Sequence, residues 1–466
     1  MADKRIFELS ELDQIMPRLY VRWLLCFPLS ETSPSKQSII DALQAGVILT
    51  LDGLPVLRGH LVPKVSDSSR LEVHTLQNYQ GEVGFELKVN HLDDEDDETI
   101  PTYQSLKKAN FPVSEMPDKT FTPPDDPSLS VFDMMATFIR GGVLLCIKCH
   151  HAVVDGGGLG LVIKLLAQNC DAKSHSVQRL SLPFVPSVDR GSLPPSKPET
   201  PARDLGFIVL DVGQKPAAPA REYGPMTSQI FKFPNEALQQ LKKHFDSVSS
   251  GSVTSHDALT ALLYGAVSYA RSLRFSETSS EPKALPSTMG IAVDGRRRLK
   301  TPIPEYAGNV TMYARFSNPL QLPCAKIPQD IMKDPSLLAI SLNLPALAEK
   351  THSAVAAVTH EYITDTISLA SSLEDVSRMQ PSFSDFYQGT DFFITSGASF
   401  PVFDHEWWPG GAVDALRIPL KAQWDGSCAV LATKDRSQGL DVLLGLREDD
   451  MKVVEEILFA FGAHIQ

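Results

Sequence analysis

The stretch from Gly141 to Gly160, GGVLLCIKCHHAVVDGGGLG, restricts what this chain can build more than any other. Val143, Leu144, Leu145, Cys146 and Ile147 make an apolar run of strand length. The strand ends at His150 and His151, and Asp155 then opens the cluster Gly156, Gly157, Gly158. Beyond it, Leu159, Val162, Ile163 and Leu166 recur at helical spacing. The pattern predicts a strand, a turn and a helix, with the histidines at the strand's exit. A histidine there is held by the strand and can still face a cavity. It is also the side chain best suited to take a proton near neutral pH. The competing reading of a His-His pair is structural, packing plus a hydrogen bond. Adjacent glycines suit a turn that needs unusual dihedrals or close backbone approach. A phosphate cradle fits them poorly, because no Lys-Ser/Thr follows and GxGxxG spacing is absent.

At 466 residues two domains are expected. Hydrophobic content of 43% and charged content of 21% are those of a globular protein. A net charge of −13 argues against nucleic acid and anionic membrane as partners. No apolar stretch is long enough for a membrane span, and the N-terminus has no signal-peptide pattern. Six scattered cysteines are expected to be free thiols in a reducing cytosol. Cys146 and Cys149 form a CxxC, but on a strand they point to opposite faces, so no metal site is expected. The acidic run DDEDDE within residues 91–98 reads as a solvated loop.

Along the chain, residues 7–18 read as a loop and Leu19 to Phe27 as a strand. Ile39, Ile40, Leu43, Val47 and Leu51 mark a helix with Ser35 or Ser38 as N-cap, followed by a strand over 57–62. Between Leu182 and Pro225 the chain is dense in proline, serine, glycine and alanine, which suits neither helix nor central strand. Domains are therefore expected at 1–185 and 226–466, with a linker at 186–225. A strand (SQIFKFP) and a helix open the second half, and Thr254 or Ser255 caps another helix. Residues 335–380 read as helical and Phe392 to Thr395 as a strand. Asp449 is a candidate cap for the last helix.

HHAVVDG resembles the HHxxxDG signature of the BAHD acyltransferases, and the chain is similar in particular to fungal secondary-metabolism members. The resemblance extends to the 39–62 segment, to PTYQSLKKANFP, and to a D-x-R-x-R element matched by Asp294, Arg296 and Arg298. It also covers the Gly308-Asn309 pair and the end, GLDVLLGLREDDM. The family's DFGWG motif is degenerate here. Counting from Ser396 gives Glu406-Trp407-Trp408-Pro409-Gly410, with only the last glycine kept; starting at Asp404 is a rival match that breaks the count.

The resemblance implies an α/β fold of two chloramphenicol-acetyltransferase-like domains, each a mixed sheet with helices, and a channel between them. It implies an acyl-CoA-dependent O-acyltransferase, with acetyl-CoA the first candidate co-substrate, no permanently bound cofactor and a small hydroxylated metabolite as acceptor. His151 and Asp155 carry over as the catalytic pair of the motif, with His151 as general base. Asp155 is expected to pair with Arg296, or second with Arg298, rather than to orient the histidine. Gly156, Thr395, Ser396 and Trp407 are expected at the substrate and CoA channel, three of them (Thr395, Ser396, Trp407) as candidate oxyanion donors. A cytoplasmic monomer is expected. Two other readings stay open: a condensation-type catalyst using a thioester substrate, and a non-catalytic metabolite binder.

Overall fold

The computed structural model describes residues 4–76, 85–93, 99–174, 185–201, 203–214, 224–246, 253–277, 281–383, 389–419 and 425–465. Most of the expected acidic loop and part of the proline-rich crossover fall outside these residues. Two mixed sheets dominate. The first has five strands, in the order Ala415–Arg417, Tyr20–Pro28, Gly142–His150, Phe132–Ile139 and Lys88–His91. The second has seven, in the order Thr311–Ser317, Thr288–Asp294, Phe392–Ser396, Ser427–Leu431, Leu440–Arg447, Met226–Phe233 and His464–Ile465. In the first sheet only the Lys88–His91 pairing is parallel; in the second, Phe392–Ser396 runs parallel to both neighbours. Helices cover the sheets, as the α/β expectation requires.

The strand Gly142–His150 is buried along its whole length between antiparallel neighbours. This is why its residues read as a near-continuous apolar run rather than an alternation. Alternation survives in what each face meets. Cys149 packs in the main N-terminal core and Cys146 in a separate cluster on the opposite face, and both are free thiols. Among the described residues no group of three His, Cys, Asp or Glu could hold a metal ion, and no helix is long and apolar enough to cross a membrane.

After the strand, helix Gly156–Ser174 packs along helix Lys36–Gly53. Ser35 is the N-cap of the earlier helix, its hydroxyl accepting from the backbone N–H of Ser38. Thr254 caps Ser255–Glu277 in a reciprocal box with Asp257. Several details depart from expectation. Lys4–Glu8 is an edge strand paired with Asp67–Leu76, not loop, and Glu11–Gln14 is a short helix capped by Ser10. Residues 55–58 form a 3-10 turn, so the next strand starts at His60. Asp449 caps nothing. The last helix starts at Glu448 with no side-chain cap, and Asp449 lies in its first turn, where a negative charge still suits the helix dipole.

The seven-stranded sheet is built from the C-terminal half of the chain, but the five-stranded sheet and both cores draw on the two halves. Strand Ala415–Arg417, from the C-terminal half, pairs with Leu24 to Cys26 at the edge of the N-terminal sheet. Val402, Trp407, Trp408, Val413 and Leu416 join the N-terminal core. In return Leu12, Ile15 and Met16 pack in the C-terminal core. The described part of the crossover is docked. Leu193, Leu205, Phe207 and Leu210 are buried, and Phe207–Val209 pairs with Met379–Pro381.

Candidate active site

His150 and His151 are neighbours with different surroundings. His150 is the last residue of its strand and 2% exposed. Its ring meets Tyr20 edge-on at 5.0 Å, and its Nδ1 accepts from the Ala152 backbone N–H at 3.2 Å. Burial, with lesser contributions from His151 and Arg18, pushes its pKa down to about 4. It is a neutral packing residue. His151 lies just past the strand, half-buried, with its backbone N–H bonded to the Leu19 carbonyl at 2.8 Å. It lines a cavity of about 250 Å³. Burial also lowers the His151 pKa, opposed by its own backbone, by the Asp155 charge and by Asn309. An imidazole that is neutral near pH 7 results.

Asp155 does not reach the histidine. It is fully buried and N-caps helix Gly156–Ser174, its Oδ1 accepting from the Gly158 N–H at 2.8 Å. Arg296, 3% exposed, meets it through both terminal nitrogens: Nη2 to Oδ1 at 2.6 Å and Nη1 to Oδ2 at 3.2 Å. Oδ2 also accepts from the Val310 N–H at 2.9 Å and the Thr311 hydroxyl at 3.0 Å. Burial alone would raise the carboxyl, but Arg296 and these donors hold it below the usual range. The guanidinium is equally occupied. Nε donates to the Tyr306 carbonyl, Nη2 also to the Gly308 carbonyl and Nη1 to Asp294. Arg298 instead donates to the carbonyls of Val355 and Val358.

The glycine cluster is explained by close approach. A Cβ on Gly158 would lie 1.9 Å from the Ala307 carbonyl oxygen, and one on Gly157 2.9 Å from Arg296 Nη1. Gly156 faces the cavity, where the Phe400 ring lies against it.

A second, larger cavity of about 800 Å³ shares Leu19, Val21, Trp23, Phe393, Thr395, Ile418 and Ala429 with the first. Thr395 is thus on the wall common to both. It faces the cavities because the strand Phe392–Ser396 alternates: Phe392 and Ile394 are in the C-terminal core, while Phe393 and Thr395 point the other way. Ser396, at the strand's end, lines the smaller cavity.

Trp407 is not at the channel. It is fully buried in the N-terminal core, its ring 5.6 Å from Phe27, and it lines neither cavity. The reason is local geometry. Gly410 has φ +76°, a left-handed turn that folds Trp407 and Trp408 back into the core, with the Trp407 N–H bonded to the Gly411 carbonyl at 3.0 Å. The one glycine retained from the motif is the one this turn requires.

Residues to which the sequence reading gave no place at the site complete it. Phe400 stacks on Trp23 at 4.9 Å and closes one side of the smaller cavity. Asn309 and Asp13 form a buried pair behind His151, with Asn309 Nδ2 donating to Asp13 Oδ1 at 2.7 Å. Asp13 is fixed in turn by Arg190 at 3.1 Å and by Ser10. The capping pattern Ser10-x-x-Asp13 and the Gly308-Asn309 pair are the signals that could have drawn attention to them.

Residues 19–170 match the profile of the trichothecene 3-O-acetyltransferase-like N-terminal domain. Eremophilane O-acetyltransferase ORF8 of Penicillium roqueforti is 25% identical over 469 residues, covering 95% of this chain and 94% of its own length. The crystal structure of F. graminearum TRI101 with coenzyme A and deoxynivalenol superposes with a TM-score of 0.77 at 18% identity, covering 96% of both chains. Vinorine synthase superposes with a TM-score of 0.64 at 14% identity, covering 97% of this chain and 92% of its own. The two-sheet architecture with its intervening cavities is therefore the chloramphenicol-acetyltransferase-like fold. Residues 19–170, which carry the HHxxxDG turn, are therefore similar to the N-terminal domain of trichothecene 3-O-acetyltransferase-like proteins, and nearly the whole chain is similar to fungal O-acetyltransferases.

Proposed function

We propose that this protein is an acyl-CoA-dependent O-acyltransferase, moving an acyl group, acetyl in the first instance, to a hydroxyl of a small and largely apolar secondary metabolite. Terpenoids, polyketides and alkaloids are the acceptor classes that fit. The observation that carries this reading is the pair of cavities with a common wall, one of them holding a neutral histidine. A transfer between two bound substrates needs two chambers that meet at one base. The relatives' printed activities, O-acetylation of eremophilanes among them, agree with it.

An alcohol is a poor nucleophile until its proton leaves as it attacks. In the proposed reaction the acceptor oxygen adds to the thioester carbonyl while its proton passes to His151 Nε2. The carbonyl oxygen becomes an oxyanion, which needs preorganised donors. Thr395, on the common wall, and Ser396 are candidates for that role. The C–S bond then breaks, the thiolate takes the proton from His151, and ester and free CoA leave. No acyl-enzyme is required, and no G-x-S-x-G nucleophile is present in the sequence. Asp155 and Arg296 hold the histidine-bearing turn against the C-terminal half and exchange no proton.

The test is thiol release from acetyl-CoA by the purified protein against a panel of hydroxylated metabolites, with mass detection of the ester. Acceptor-dependent release and a sequential rate law are expected. Burst kinetics with a ping-pong pattern, or thiol release with no acylated acceptor, would overturn the direct transfer.

A further inference from the structure

A general base of this kind works only in one tautomer. Nε2 has a free lone pair only when the proton sits on Nδ1, and a buried Nδ1–H needs an acceptor. His151 Nδ1 is buried and makes no regular hydrogen bond, although its own carbonyl oxygen and the Asn309 side chain both lie close enough to act on it. Asp155 cannot serve, since both its oxygens are taken by Arg296, Gly158, Val310 and Thr311.

Behind the imidazole lies Asn309, fully buried. Its place is fixed from several sides. The next residue, Val310, donates its N–H to Asp155, and the preceding Gly308 carbonyl accepts from Arg296. Its own N–H and its Nδ2 both donate to Asp13 Oδ1, at 3.3 and 2.7 Å. A carboxylate only accepts, so Asp13 dictates which end of the amide it meets. Nδ2 faces Asp13, and Oδ1 is left as a buried acceptor with no regular partner. Two buried polar atoms, one able to donate and one able only to accept, are thus left over at neighbouring side chains. Leaving both unpaired would cost desolvation energy with no return.

We propose that Asn309 is the positioning residue of His151: its Oδ1 accepts from the imidazole Nδ1–H and keeps Nε2 as the basic nitrogen on the cavity side. Asp13, with Arg190 and Ser10, orients the amide. An amide does this work better than a carboxylate in this setting. It fixes the tautomer without adding a negative charge that would favour a protonated, useless imidazole. This assignment rests on the reading of His151 as the base.

The experiment measures the tautomer directly, by ¹⁵N-histidine NMR of the full chain, with the His151 signals assigned by their loss in His151→Ala. The Nδ1–H form is expected in the unsubstituted protein. Asn309→Ala is expected to shift His151 toward the Nε2–H form and to lower kcat roughly 10²-fold with KM for both substrates nearly unchanged. That is less than the about 10⁴ seen where a triad histidine is locked in the wrong tautomer, because an unheld ring still samples both forms. An Nε2–H form in the unsubstituted protein overturns the proposal, and needs no variant to fold. So does an Asn309→Ala protein that keeps the Nδ1–H form, whatever its activity. Full turnover by His151→Ala would instead remove the base assignment, a failure the tautomer measurement leaves separate.

Discussion

Two regions touch at the turn after residue 150, and they treat polar atoms in opposite ways. In the Asp155–Arg296 cluster both Asp155 oxygens and every guanidinium nitrogen have a partner. In the cavity beside it, His151 faces Trp23, Phe393 and Phe400 and makes no ion pair among the described residues, although Asp294 and Arg296 also line the cavity. The contrast separates two jobs that a short motif runs together. A saturated network has no capacity left for a reacting atom and can only hold geometry. An unsaturated one contributes less to the fold and leaves a lone pair available for the proposed chemistry.

Removing the proposed base should give the largest effect. His151→Ala is expected to lower turnover by about 10²–10⁴-fold while the melting temperature stays close to that of the parent. Full activity in the purified variant would erase the distinction between the two regions. Second, Asp155→Asn and Arg296→Ala should each destabilise by roughly 3–5 kcal/mol, since each leaves a buried charge or its donors alone. Chemical denaturation measures this, and a double-mutant cycle should show coupling well above the roughly 0.3–0.5 kcal/mol scatter of independent sites. An Asp155→Asn protein that melts like its parent yet has lost activity would make the aspartate catalytic.

The third prediction concerns acid. Unfolded histidine titrates near 6.5, while His150 stays neutral in the fold down to about 4. Between those values the unfolded chain binds the extra proton, so stability is full above the upper value and is lost as pH falls through the window. The loss is about 1.4 kcal/mol per pH unit, about 3 kcal/mol across the window. His150→Asn, whose Oδ1 can still accept from Ala152, should flatten that slope and leave turnover near neutral pH within a few-fold. A parent-like slope would show that another group controls acid unfolding. The smallest effect is expected at Trp407. Trp407→Phe should cost about 1–3 kcal/mol, as core truncations do, with kcat/KM unchanged within twofold. A larger kinetic loss would return this residue to the channel.

Features governed by local chemistry were legible in the sequence. The strand over 142–150, the caps at Ser35 and Thr254, and the strand at 392–395 follow from runs and spacings inside short windows. The pairing of Asp155 with Arg296 came from resemblance, not from any pattern in the residues between them. What stayed hidden depends on contacts made across the chain. Asn309 reaches Asp13 from 296 positions away, and no periodicity announces it. The strand Lys4–Glu8 exists because Asp67–Leu76 offers it an edge. Trp407 was misplaced because a motif position was carried over without the turn that directs it; the left-handed Gly410 decides where the indole goes.

The strand Ala415–Arg417 has one more consequence. It carries the C-terminal half across to the other sheet, where Asp414 meets Tyr103 and Lys107, and Arg417 donates to the carbonyls of Asn110 and Phe111. The halves are thereby interlocked, each holding a piece of the other. A chain nicked in the crossover would stay a single particle, and heat should melt it in one step rather than two. It also bears on traffic. Substrates cannot be admitted by the halves swinging apart, since that would strip a strand from its sheet. In the proposed reaction they would enter through the cavities themselves, without a hinge between the halves.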